Sequence, residues 1–355
     1  MARRKGRPRR NGPRGHEVRA PETALTQGRT FPPGTQKNPA DSRTHSPGGP
    51  MRLAQYDFHA VFEENAVLPE FKGSTFRGAF GWALKRVACP MGERDCRICL
   101  VRSRCIYPTV FEPTTNDAHG LAPHPYAIIP PTTRERAFRK GESFDFSLIL
   151  FGSATEYLPY FIAAFERMGQ SGIGRGEVRP RARFALQAVS YRGQRIYDAR
   201  SPHVLQGTVP DELDLAQIPP APARAVEVRW RTPVRLKADN HLAGKLPFDV
   251  LIRGTLRRVS SLFHAFGAGE PPLDYRGLAK RAASIITARD ELEWIDHRRF
   301  SSRQEREMLL GGLTGSILYR GDLTEFTPLL TAAEVLRIGK QTTFGLGWME
   351  YRVIE

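Results

Sequence analysis

The sequence predicts an α+β protein built as two tandem ferredoxin-like (RRM-like βαββαβ) domains with glycine-rich loops and a four-cysteine insertion. Three observations predict it. Each half opens on a strand of period two, each strand is followed by a helix of period 3.6, and a glycine-rich loop precedes the last strand of both halves.

In the first half, Tyr56, Phe58, Ala60 and Phe62 share one strand face, and Asp57, His59 and Val61 the other. A helix is predicted from about Ser74 to Val87, capped by Ser74 or Thr75, because Phe76, Ala79, Phe80, Ala83 and Val87 fall on one stripe. The cysteine-bearing insertion occupies residues 88–131. Beyond it Phe144, Phe146, Leu148 and Leu150 alternate with Asp145 and Ser147 as a strand. Leu158 to Met168 reads as a helix with Pro159 near its start, followed by Gly169, Gly172, Gly174 and Gly176. A strand through Phe184, Leu186 and Ala188 closes a domain set at 51–205.

A linker rich in Pro and Ala is placed at 206–224 and a second domain at 225–355. Its first strand puts Val226, Val228, Trp230, Val234 and Leu236 on one face and Arg229, Arg231, Arg235 and Lys237 on the other. The helix Pro247 to Phe266 buries Phe248, Leu251, Ile252, Leu256, Val259, Leu262 and Phe266. A strand at Gly312 to Tyr319, a short helix near Pro328 to Leu336, the loop Gly339 to Gly347 and a strand at Trp348 to Val353 complete the repeat. The order is that of the split βαβ unit, twice.

Of the formal net charge of +16, residues 1–50 supply half, with 11 Lys and Arg against 3 Asp and Glu. That stretch has no hydrophobic period and is excluded from the fold. It reads either as a disordered basic extension or as the product of a misassigned start, with Met51 the first residue, since strand-like sequence begins directly after Met51. No apolar core follows the positive start, so no secretion signal is expected, and no run approaches the roughly 18 apolar residues a membrane span needs. A cytoplasmic protein without a membrane partner is expected.

Glycines let backbone N–H groups converge on an oxyanion, and Lys340, Thr342 and Thr343 add a charge and hydroxyl donors to Gly339, Gly345 and Gly347. One such loop is often a plain turn. A second, with Gly172, Gly174 and Arg175 at the same place in the other repeat, argues for contact with a phosphodiester. In the segment of Arg298, Arg299, Ser301, Arg303 and Gln304, guanidinium forks alternate with hydroxyls, as phosphate and base-edge recognition requires.

Five segments resemble the RAMP superfamily, specifically the CRISPR-associated endoribonucleases that cut precursor transcripts within each repeat. They are FKGSTFRGAFGWALKRVAC (71–89), CIYPTVFEP (105–113), HPYAIIPP (124–131), WIDHRRFSSRQEREMLLGGLTGSILYRGDL (294–323) and IGKQTTFGLGWMEY (338–351). The resemblance implies cleavage of a CRISPR repeat RNA without a divalent metal, by attack of a ribose 2′-hydroxyl on the neighbouring phosphate. The products would carry a 2′,3′-cyclic phosphate and a 5′-hydroxyl. A non-catalytic subunit that holds guide RNA within a CRISPR effector complex is the alternative.

That chemistry needs a base, a cation on the phosphate oxygens and an acid for the leaving oxygen. Relatives often carry a histidine on or near the first helix, where this chain has none. The candidates are His59, His124, His241, His264 and His297, of which His124 and His297 lie within the resembling segments. Lys72, just before the first helix, is the candidate for stabilising phosphate charge.

All four cysteines of the chain, Cys89, Cys96, Cys99 and Cys105, fall within seventeen residues. In a cytoplasmic chain such clustering favours four thiolates on one metal over two disulfides. The short Cys96–Cys99 knuckle suits structural zinc. The full spacing resembles the four-iron cluster loop of endonuclease III-type DNA glycosylases, so a structural 4Fe–4S cluster or Zn2+ is expected, neither required for cleavage.

Overall fold

The computed structural model describes residues 48–91, 95–113, 122–201, 209–238, 241–301 and 306–354, with the backbone alone for 298–301 and 306–309. Apart from residues 48–50, the basic extension lies outside the described residues.

The first half forms strands β1 (Met51–Phe62), β2 (Tyr126–Ile129), β3 (Ser143–Phe151), β4 (Phe184–Tyr191) and β5 (Gln194–Asp198). They pair antiparallel in the order β2-β3-β1-β4-β5, so β3 splits the β1 and β2 pair as the ferredoxin-like fold requires. The alternation seen in the sequence has its cause in the register: Phe58 faces Phe146 on the buried side, and His59 faces Asp145 on the open side. Behind the sheet lie α1 (Gly73–Ala88) and α3 (Leu158–Ser171), which bring Phe80, Phe161 and Phe165 into one aromatic core. Between them in sequence, α2 (Ile106–Phe111) ends the cysteine insertion.

The start of α1 differs from expectation. It begins at Gly73 with Lys72 as N-cap and no side-chain cap, so neither Ser74 nor Thr75 closes it. The first glycine run also differs. Gly172 turns the chain at the end of α3 with φ +79°, and Arg175–Gly176 then pairs with Ala66–Val67. A Cβ on Gly174 would collide with Leu68 and the Val67 carbonyl, so these glycines admit a close backbone neighbour.

The second half repeats the order with β6 (Ala225–Val234), α4 (Phe248–Phe266), α5 (Tyr275–Ala282), β7 (Ile286–Ile295), β8 (Gly312–Arg320), α6 (Thr327–Leu336) and β9 (Met349–Ile354). Its sheet runs β7-β8-β6-β9, all antiparallel, matching β2-β3-β1-β4. Helix α5 and strand β7 gave no sequence signal: β7 is an edge strand exposed along almost its whole length, so nothing forces its residues to alternate. Strand β6 stops at Val234, which leaves Arg235 and Lys237 beyond it rather than on its face.

The two sheets are fastened through a third apolar cluster. Met51, Leu53, Ile149 and Phe151 of the first half meet Val259, Leu262, Phe263, Ala332 and Leu336 of the second. Part of the expected linker takes part, since Asp211–Leu213 pairs with the start of β1 and Leu215 enters this cluster. The described residues form one compact unit.

Candidate functional site

The first turn of α1 is where the separately predicted segments converge. A Cβ on Gly73 would collide with the Phe344 carbonyl of the loop before β9, and the Phe71 ring stacks on His297 at 4.7 Å and 14°. Lys72 stands at the centre but does not face solvent. Its ammonium is fully buried, donates to the Glu70 carbonyl at 3.1 Å and the Thr133 carbonyl at 2.6 Å, and lies 5.7 Å over the Phe138 ring. Burial pulls its pKa below the usual lysine range, against the pull of Glu70 and Glu135. Lys72 therefore ties residues near Thr133 to the head of α1, and the expected role on phosphate does not fit it.

His297 follows β7 by two residues, and its carbonyl accepts from the Leu310 N–H at 2.9 Å. Its half-buried ring belongs to the second half but lies among Glu70, Phe71 and Arg134 of the first. Burial lowers its pKa, Glu70 and Asp296 oppose that, and Arg134 assists it. The imidazole is thus neutral at pH 7 and able to accept a proton. His124 is further depressed, to about 4, chiefly by burial, with Arg77 and Arg258 adding to it and the Val110 carbonyl opposing. Its Nδ1 lies 3.2 Å from that carbonyl, which selects the Nδ1–H tautomer.

Arg77, one turn into α1, escaped the sequence reading. Its guanidinium lies 4.4 Å over Phe111 and 4.7 Å over Phe344, and its Nε donates to Thr343 Oγ1 at 3.2 Å. An arginine beside an apolar helical stripe was the available signal, and it reads equally as a solvated face.

The loop from Ile338 to Trp348 is not an open cradle. The N–H groups of Ile338, Lys340, Gly345 and Gly347 donate to the carbonyls of Gly347, Arg235, Thr342 and Pro233 at 2.9 to 3.0 Å. Thr342, Thr343, Gly345 and Gly347 are buried, and a Cβ on Gly345 would strike Pro130. The expectation that these four grip phosphate is corrected: with φ of +86° at Gly345 and +79° at Gly347, they let the loop thread between the ends of β2 and β6. Gly339 is partly exposed and Lys340 exposed.

Around Lys340 several positive charges gather. Its pKa is lowered first by burial and then by Lys237, Arg235 and Arg257, with no acid among the described residues acting on it. Arg257, legible in the sequence only as a residue on the polar side of its helix, was not joined to this cluster, since α4 brings it here from more than eighty residues away in the chain. The half-buried Arg235 donates to the Gly311 carbonyl and feels Asp296. Of the expected basic strand face, Arg229 is exposed, but Arg231 pairs with Glu350 at 2.7 Å and is neutralised. Arg175 is exposed beside Arg179 and Arg181, whereas Gly172 is buried and Gly174 serves packing. Arg298–Ser301 forms a strand that pairs with Arg306–Leu309, so the backbone of Arg298, Arg299 and Ser301 is placed. Arg303 and Gln304 lie outside the described residues.

Cys89, Cys96, Cys99 and Cys105 are all half-buried and line one concavity with Met91, Tyr107 and Pro108. Among the described residues no group of three or more His, Cys, Asp or Glu side chains is gathered closely enough to hold a metal ion. Among the same residues, no helix is long and apolar enough to cross a membrane.

Residues 228–349 match the family model of the CRISPR-associated endoribonuclease Cas6, and residues 51–209 match a model described as an N-terminal domain. An uncharacterized protein of Archaeoglobus fulgidus is 26% identical over 293 residues, covering 80% of this chain and 93% of that protein. A Thermus thermophilus Cas6 shares the fold at a TM-score of 0.50 and 13% identity, over 85% of this chain and 99% of the other. A Cas6 product complex does so at 0.51 and 14%, over the same shares. A partial Cas6-RT-Cas1–Cas2 complex gives 0.52 at 14% identity over 87% of this chain, which spans only 47% of that longer one. Residues 228–349 thus match the model of the CRISPR-associated endoribonuclease Cas6, and the chain shares the fold of solved Cas6 structures.

Proposed function

We propose that this chain processes CRISPR precursor RNA by binding a repeat RNA where the head of α1, the loop after α6 and the segment after β7 meet, and by cutting it there. In this reading the 2′-hydroxyl attacks the adjacent phosphate without a divalent ion, leaving a 2′,3′-cyclic phosphate and a 5′-hydroxyl. The observation that carries it is the position of His297, a neutral imidazole stacked on Phe71 beside Arg134 at the meeting of the two halves. A neutral imidazole takes the 2′-hydroxyl proton, and the Arg134 guanidinium nearby offers charge to the phosphorane oxygens. Lys237, Arg257 and Lys340 hold flanking phosphates, a task their mutual proximity suits. His124, with a pKa of about 4, carries too little proton near pH 7 to serve as the acid, and it acts by positioning.

Repeat RNA incubated with the protein in EDTA tests this. The expected result is one cut with a cyclic phosphate end, slowed roughly 10²- to 10⁴-fold in His297→Ala with little change in RNA affinity. The acid limb of the wild-type pH–rate profile should fall below the ordinary histidine value, because the His297 pKa is lowered. Tight binding with intact RNA would leave the non-catalytic role within an effector complex, and full activity in His297→Ala would move the base elsewhere.

A further inference from the structure

Among the described residues, the stretch from Cys89 to Cys105 has no apolar core of its own. The two 3₁₀ turns Cys96–Ile98 and Arg102–Arg104 contain no buried residue; Ile98 is 81% exposed, and Leu100 between the turns is 99% exposed. Apolar side chains thus point to water while the thiols point inward, the reverse of a loop folded by the hydrophobic effect. A small unit with so little to bury needs a cross-link.

The backbone supplies the geometry for one. Cys99 N–H bonds to the Cys96 carbonyl at 3.4 Å, Arg102 N–H to the Cys99 carbonyl at 3.1 Å, and Cys105 N–H to the Arg102 carbonyl at 3.3 Å. These bonds close two successive tight turns, and Cys96, Cys99 and Cys105 line the same concavity. Cys89, at the C-terminal end of α1, joins them around a concavity that all four line.

From there a contact path leads to the site described above. Cys105 is the N-cap of α2, and Phe111 closes that helix. The Phe111 ring occupies the space over Gly81, where a Cβ would collide with it, and carries Arg77 on its face at 4.4 Å. Arg77 in turn holds Thr343 and Phe344 of the loop after α6.

We propose that Cys89, Cys96, Cys99 and Cys105 bind one soft metal centre through four thiolates, and that this centre, acting through α2, Phe111 and Arg77, fixes the position of the loop 338–348. Binding draws the thiols closer together than they stand here, since zinc–sulfur bonds are about 2.3 Å long and all four cysteines already line one concavity. The chemistry is that of a closed four-sulfur site, filled by Zn2+ or by a 4Fe–4S cluster. The metal half stands independently of the RNA reading, and only the consequence for binding rests on it.

The full chain purified without oxygen or chelator is to be analysed for metal and absorption. About one zinc per colourless chain, or about four irons with a band near 400 nm, is expected, and either is lost in Cys96→Ser/Cys99→Ser. Because that variant can fail to fold, the wild-type protein is also stripped with chelator and followed by hydrogen exchange. Stripping is expected to speed exchange in 338–348, and Phe111→Leu to keep the metal while abolishing the difference between loaded and stripped protein. Metal-free protein with four titratable thiols, or with two disulfides, would overturn the centre. Unchanged exchange on stripping would overturn the coupling. Repeat RNA affinity measured on the same samples then reports separately on whether the loop serves RNA.

Discussion

At the scale of single residues, burial decides roles that the sequence leaves equivalent. His124 and His297 lie in the resembling segments alike, and Lys72 precedes a helix that phosphate would favour. Folding puts the Lys72 ammonium onto two carbonyls and takes His124 largely out of water, while His297 remains at the junction. Such differences depend on which distant segments cover a side chain, and no local pattern records that. The His124 environment has a measurable consequence. Its folded pKa of about 4 lies below the ordinary 6.5, so the unfolded chain takes up the proton first as pH falls. Stability is therefore lost progressively between about pH 6.5 and pH 4, on the order of 2 kcal/mol once partial solvent exposure is allowed for. His124→Gln should remove this part of the pH dependence. Urea unfolding of both proteins at pH 7 and pH 4.5 measures it, and an equal loss in the two would show that His124 makes no such contribution.

At the scale of elements, periodicity read the strands and helices that bury one face, and β7 stayed invisible because it buries neither. Glycine was the harder residue to read. Both glycine-rich loops stand where the sequence puts them, yet their glycines serve close backbone packing, a use that leaves the same composition as an anion cradle. Two glycines of α1 separate the possibilities. Gly78 is exposed with open space around its Cα, so Gly78→Ala should stabilise the helix by roughly 0.5–1 kcal/mol. Gly73 abuts the Phe344 carbonyl, backbone that cannot swing aside, so Gly73→Ala should cost about 1–3 kcal/mol and displace the loop after α6. Thermal unfolding of the pair provides the comparison, and a Gly73→Ala protein as stable as wild type would mean that helix and loop are not packed as described.

At the scale of the whole molecule, the tandem repeat suggested two domains with a linker, and the repeated strand order supports the architecture behind that reading. What a repeat pattern does not reveal is how firmly its copies are joined, because residues at the junction look like ordinary members of each copy's apolar stripe. Leu262 was assigned to the core of the second-half helix. It lies instead, fully buried, in the cluster with Ile149 and Phe151 of the first half. This shared cluster joins the half that carries the head of α1 to the half that carries His297 and the loop after α6, and the proposed site requires all three at once. Truncating Leu262 to Ala should cost about 2–5 kcal/mol, the range for large-to-small changes in a packed core. If the halves unfold as one unit, the loss appears in both, and amide protection should fall by the same factor in β3 and in β8. Hydrogen exchange read by mass spectrometry resolves the two strands. Protection lost in β8 alone would show that the first half is stable without its partner, and a cleft that depends on both halves would then have to be assembled by RNA rather than preformed.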